Sequence, residues 1–146
     1  MIYKAIFILL FTFSTSAYAK KDCVHDINKF KCVEFIKNVD ADTFTVNIPH
    51  LHPILGTKVK VMLPDVKAPS VNSKNKCAKK IAREGKKFSY NLLKNAKYIE
   101  IQQAKRSRKF AIAGEVIIDG KNLKEILLKK NYIIAKKEFK QKNWCK

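Results

Sequence analysis

Val39-Asp40-Ala41-Asp42-Thr43-Phe44 is a turn set between two runs of strand character. Before it, Val33 to Val39 reads as a first strand. After it, Phe44, Val46 and Ile48 alternate with polar residues and read as a second. Pro49 to Gly56, rich in proline and histidine, is expected as a loop. Val59, Val61 and Leu63 alternate again as a third strand, and Pro64 to Asn75 is expected as a long irregular connection. From about Asn75 the period changes. Cys77, Ile81, Phe88, Leu92 and Ala96 recur at helical spacing, opposite a face of Lys76, Lys79, Lys80, Arg83, Lys86 and Lys87. Tyr98 to Ile101 reads as a fourth strand and Phe110 to Ile118 as a fifth. Asp119-Gly120 turns the chain, and Asn122, with Glu125 as capping-box partner, starts a helix whose apolar face is Leu123, Ile126 and Leu127. This order predicts an α+β, mainly β, domain: a five-stranded OB-fold barrel with a helix between strands 3 and 4 and a C-terminal helix.

Outward from that core, the first 19 residues read as a signal peptide, with Lys4 as the positive start, Ala5 to Phe13 as an apolar run too short to span a bilayer, and Ala17-Tyr18-Ala19 as the cleavage site. The expectation is a secreted or periplasmic protein whose residues 20–146 form a single domain, without stable membrane insertion after cleavage. The chain holds 31 basic against 12 acidic residues, a formal net charge of +19, and only one of the basic residues, Lys4, precedes Lys20. Such an excess bears on partners rather than on fold, and favours polyanions: nucleic acid, anionic lipid heads or acidic glycans. The four cysteines allow three pairings; Cys23–Cys32, closing a short loop, and Cys77–Cys145, tying the tail to the central helix, are favoured. Each bridge would contribute ~2–4 kcal/mol. With no Cys-x-x-Cys spacing, a zinc site is disfavoured.

The turn and the later segment Val61-Met62-Leu63-Pro64-Asp65-Val66-Lys67-Ala68-Pro69-Ser70 together resemble the active-site half of the staphylococcal nuclease (thermonuclease) family. That family typically reads Asp-Gly-Asp-Thr, then an arginine on the third strand, then Asp-(Thr or Ala)-Pro-Glu. The resemblance covers roughly Val33 to Ala135 and implies the same barrel. It also implies calcium held by the second aspartate of the turn and the aspartate of the later motif, a glutamate handling the attacking water, and two arginines clamping the phosphate. Residue by residue, Asp40, Asp42 and Thr43 match. The second calcium aspartate falls on Lys67, the glutamate on Ser70, the strand-three arginine on Met62 and the later arginine on Ala111. An ammonium cannot ligate calcium, so a Lys67–Asp42 ion pair is expected in place of the metal. Asp40 and Asp42 would then be vestiges of a metal site, with no catalytic set intact and no cofactor.

Lys105-Arg106-Ser107-Arg108-Lys109 is the densest charge run, and Lys60 shares a strand face with Met62. These five cations, Lys60, Lys105, Arg106, Arg108 and Lys109, are the candidate nucleic-acid contacts, acting on phosphates without reading sequence. Phe35, Phe44 and Phe110 are expected in the core, and His25, His50 and His52 as plain loop residues. The favoured reading is a thermonuclease-like protein that binds nucleic acid or another polyanion without efficient hydrolysis. The alternatives are a metal-dependent nuclease (phosphodiesterase) with a rearranged site, drawing on Lys60, Asp65, Arg106 and Arg108 with calcium as cofactor, and a protein-interaction module.

Overall fold

The computed structural model describes residues 23–145; the expected signal peptide and its cleavage site lie outside the described residues. β1 (Glu34–Asp40) and β2 (Thr43–Asn47) form an antiparallel hairpin across Ala41-Asp42, in register from Glu34↔Asn47 to Asp40↔Thr43. The four-residue helix α1 (Pro53–Gly56) interrupts the expected loop, started by Pro53 and by the His52 ring, which accepts from the Ile54 N–H. β3 (Val59–Met62) pairs antiparallel with β2; its Val59 and Val61 face the core, and Lys60 and Met62 face out. The connection that follows contains a two-residue strand, β4 (Val66–Lys67), before the long helix α2 (Lys76–Asn95). β5 (Ile99–Arg106) and β6 (Ile112–Ile118) come next, then β7 (Lys121–Asn122), α3 (Leu123–Lys129) and β8 (Ile134–Ala135).

The main sheet runs β1-β2-β3-β6-β5, with β3 and β6 parallel and β7 added beside β6. The sheet curls back on itself through the residues leading into β1. Phe30 and Ile101 exchange both backbone hydrogen bonds, at 2.9 and 2.8 Å, and the Val33 N–H donates to the Ile99 carbonyl at 2.9 Å. This is the curled five-stranded sheet of an OB-fold-like domain. Inside it Phe44, Val61, Ile101, Leu123, Leu127 and Ile133 are fully buried, each worth about 1.5–3 kcal/mol of apolar transfer.

α2 turns a different line inward than its large apolar residues suggest. Its buried residues are Ala78, Ala82, Gly85, Ser89 and Leu93, one step round from the expected face. The reason is close approach. A Cβ on Gly85 would stand 2.9 Å from Cβ of Tyr132 and 3.2 Å from Cβ of Ala41, so the helix lies directly on the Asp40–Asp42 turn. Asn38 pins it there, donating to Ser89 Oγ at 2.9 Å and to the Lys86 carbonyl at 2.6 Å.

Both favoured disulfides are present, Cys23–Cys32 and Cys77–Cys145. The second holds the tail on α2, where Trp144 packs with Ala78 and Ile134 in a small separate cluster. Of the three phenylalanines expected inside, Phe44 is buried and Phe35 is half-buried against Tyr90, but Phe110 is 84% exposed. Lys109 and Phe110 both take left-handed backbone angles, with φ of 56° and 59°. This reverses the chain before β6 and throws the ring outward. The fifth barrel strand accordingly starts at Ile112. Among the described residues no helix is long and apolar enough to cross a membrane.

Candidate functional site

The hairpin turn places Asp40 at the end of β1 and Thr43 at the start of β2, beside Met62 of β3. Asp42 is held firmly. One carboxylate oxygen accepts from the Ala68 N–H at 2.9 Å and the other from the Thr43 hydroxyl at 3.0 Å, while its carbonyl accepts from the Leu63 N–H at 3.0 Å. The side chain therefore ties the turn to the chain just beyond β4. Asp40 is half-buried. Burial pushes its carboxyl above the ordinary range and the nearby charge of Asp42 adds to this, against the opposing pull of Lys86 and Lys60.

The expected Lys67–Asp42 ion pair does not form. The Lys67 ammonium lies 4.5 Å from the centre of the Phe139 ring. The cause is strand pairing: Lys67 is opposite Ile134 in the small β4–β8 sheet, and β8 runs straight into the 3₁₀ segment Lys136–Gln141 that carries Phe139. The group that meets Asp42 is instead the backbone N–H of the next residue, Ala68. Backbone donors carry no mark in a side-chain motif, so reasoning on residue types overlooked it.

The other positions singled out by the resemblance have ordinary local roles. Ser70 Oγ accepts from the Asn72 N–H at 3.1 Å and closes a small turn. Met62 is 39% exposed on β3 and pairs with Ala113 of β6, two residues after Ala111. Ala111 is 2% exposed. Asp65, the alternative carboxylate, is an exposed residue at φ 59° whose carbonyl accepts from the Lys136 N–H at 2.9 Å. His50 and His52 do not converge: His52 caps α1, and His50 instead lies near His25, ring centres 6.4 Å apart. Among the described residues, no three His, Cys, Asp or Glu side chains gather where they could hold a metal ion.

The cations behave differently. Lys60, Lys105, Arg106 and Lys109 line one groove of about 550 Å³, joined by Lys58, and Ala111 forms part of its wall. Arg108 is exposed on the 3₁₀ turn Arg108–Phe110 and does not line the groove. Three parts of the chain bring the cations together. β3 carries Lys60, the end of β5 carries Lys105 and Arg106, and the left-handed turn carries Lys109. A bulge between Gln102 and Lys105, with Gln103 at φ 51°, re-aims the end of β5. The Arg106 guanidinium lies 5.4 Å from the centre of the exposed Phe110 ring. No carboxylate lines this groove among the described residues.

A family model for staphylococcal nuclease homologues matches residues 60–144. No curated protein matches the chain. The matched segment begins on β3, after the Asp40–Thr43 turn, and takes in Lys67, Ser70, Ala111 and the cationic run of the groove. With more than half of its length matched, the chain belongs to the staphylococcal nuclease homologue family.

Proposed function

We propose that the protein binds nucleic acid, or another polyanion, along this groove without efficient phosphodiester hydrolysis. The family is a nuclease-like, nucleic-acid-binding one. The observation that carries the reading is the gathering of Lys60, Lys105, Arg106 and Lys109 on a groove with no lining carboxylate among the described residues. Such a lining attracts phosphates by charge and releases their counterions, which needs no base readout. Phe110, exposed and backed by Arg106, adds a flat surface on which a base can stack.

The family's calcium does not fit the donors present. Calcium takes roughly six to eight oxygen ligands. Here no three His, Cys, Asp or Glu side chains gather among the described residues, Asp40 is half-buried with Lys60 and Lys86 acting on it, and Lys67 takes the position that the resemblance gives to a second ligand. Hydrolysis also needs donors for the charge that develops on phosphorus oxygens. The two family arginine positions hold Met62 and the buried Ala111. The two disulfides are compatible with an oxidising compartment and support a secreted or periplasmic location.

Incubating the purified protein with end-labelled single-stranded DNA, with calcium and with chelator, tests this. A gel shift without shortening of the strand is expected in both conditions. Shortening that needs a metal would replace the reading with an active phosphodiesterase. Absence of any shift at low salt would remove the nucleic-acid ligand.

A further inference from the structure

Five large apolar side chains among the described residues are more than 60% exposed: Ile27, Ile54, Phe110, Val24 and Leu55. Four of them line the cationic groove, and the fifth, Val24, lies in the same disulfide-closed loop as Ile27. From this convergence we propose that the groove face also docks on anionic phospholipid bilayers. The apolar tips enter the interface, while Lys58, Lys105, Arg106 and Lys109 meet the headgroup phosphates.

The tips are held out by fixed backbone. Ile27, 97% exposed, crowns the Asp26–Lys29 turn inside the loop closed by Cys23–Cys32. Ile54 and Leu55 are on α1, whose Gly56 carbonyl accepts from the Ile48 N–H at 2.8 Å. A Cβ on Gly56 would stand 2.6 Å from that residue's oxygen, so the helix is clamped against the end of β2. Phe110 is fixed by the paired left-handed angles of its turn. Three separate loops thus present apolar tips around one ring of positive charge, the pattern that interfacial anchoring uses: apolar burial in the acyl boundary plus attraction to anionic heads.

Charge selects this occupant over others. A second copy docked on the same face would set two like-charged rings against each other. A nucleic acid uses the cations and Phe110, but gives the aliphatic tips of Ile27, Ile54 and Leu55 nothing to stack on. An anionic bilayer matches both chemistries at once.

Co-sedimentation with vesicles of phosphatidylcholine alone and of phosphatidylcholine mixed with phosphatidylglycerol tests it. The protein is expected to bind only the mixed vesicles. The double variant Ile54→Ser, Leu55→Ser is expected to lower that partition by about ten-fold or more, while its unfolding midpoint stays as in the parent and its single-stranded DNA affinity falls by much less than the vesicle partition. Lys105→Gln with Arg106→Gln weakens vesicle and DNA binding together. Four results would overturn the proposal. The first is no binding to anionic vesicles. The second is vesicle binding indifferent to Ile54→Ser, Leu55→Ser, which is charge adsorption alone. The third is an equal loss of DNA affinity in that variant, which gives the tips to the nucleic acid. The last is a dimer in sedimentation that the same variant dissolves, which gives the face to a second copy.

Discussion

The turn at Asp40–Thr43 and the loop at Lys105–Phe110 use charge in opposite directions. At the turn a carboxylate faces its own chain: Asp42 is satisfied by the Ala68 N–H and the Thr43 hydroxyl, and its neighbour Asp40 is half-buried. At the loop the charges face outward onto a groove that no carboxylate lines among the described residues, beside a phenylalanine ring left in solvent. The first arrangement holds backbone together and the second presents a surface. An aspartate pair in a nuclease motif can therefore match for reasons of chain geometry, whereas no ion pair among the described residues accounts for the convergence of the loop cations.

The sharpest way to break this contrast is to neutralise the loop. Lys105→Gln, Arg106→Gln and Lys109→Gln together are expected to weaken binding of single-stranded DNA by about a hundredfold at low salt. The slope of log affinity against log salt should flatten by about 2, at ~0.7 per phosphate contact removed. The unfolding midpoint should hold, because all three side chains are exposed. An unchanged slope would take the loop out of the binding face.

The turn should answer the other way. Asp42→Ala leaves the Ala68 N–H and the Thr43 hydroxyl without their acceptor and is expected to cost about 1–3 kcal/mol in urea unfolding. DNA affinity should be unaltered. A loss of affinity on the scale of the triple variant, with stability intact, would make the turn part of the binding surface and dissolve the contrast.

How far each region was legible follows from what kind of group does the work. The barrel order was readable because Phe44, Val46, Val59 and Val61 alternate strictly, because the period changes at Asn75, and because Asn122 caps a helix as its position predicts. The inner line of α2 was not. Ala78, Gly85 and Ser89 are poor hydrophobic signals, and only the close approach to Ala41 and Tyr132 makes them the buried face. The same contact explains how alanine is accommodated at the middle of the turn, where the family has glycine: the helix opposite carries no side chain at Gly85. At the site, residue types gave only the expectation that Met62, Lys67, Ser70 and Ala111 replace the family's reactive residues. They did not show where the Lys67 ammonium would go, because that depends on the β4–β8 pairing of two two-residue strands too short to leave a pattern. Phe110 was misplaced for a related reason. An aromatic beside a strand reads as core, and nothing in its identity foretells two consecutive left-handed residues. The adjoining run of four cations was the available warning.

A smaller effect tests the Lys67 correction. With its ammonium over Phe139, Lys67→Met exchanges a cation–π contact for an apolar one, and stability should move by less than about 1 kcal/mol. Calorimetry should show no new calcium binding, since methionine brings no oxygen ligand and no three His, Cys, Asp or Glu side chains gather among the described residues. A large destabilisation, or one that Asp42→Asn rescues, would restore the ion pair between residues 67 and 42.

The smallest expected effect concerns Asp40, and its sign separates burial from charge at the turn. Burial first, and Asp42 second, raise its carboxyl above the ordinary value of 3.8, while Lys86 and Lys60 pull it down. With the folded value above the unfolded one, the folded chain holds the proton more tightly. Well below pH 3.8 the group is neutral in both states and costs nothing. As pH rises through the window between the unfolded and the raised folded value, the unfolded chain releases its proton first and folding loses stability; above that window the loss is complete and constant. Asp40→Asn removes the ionisation. Its unfolding midpoint should coincide with the parent's in acid and rise above it as pH approaches neutrality. If the variant is instead the less stable protein at neutral pH, then Lys60 and Lys86 outweigh burial. The turn would then share its electrostatics with the groove through Lys60, and the two regions would have to be treated as one site.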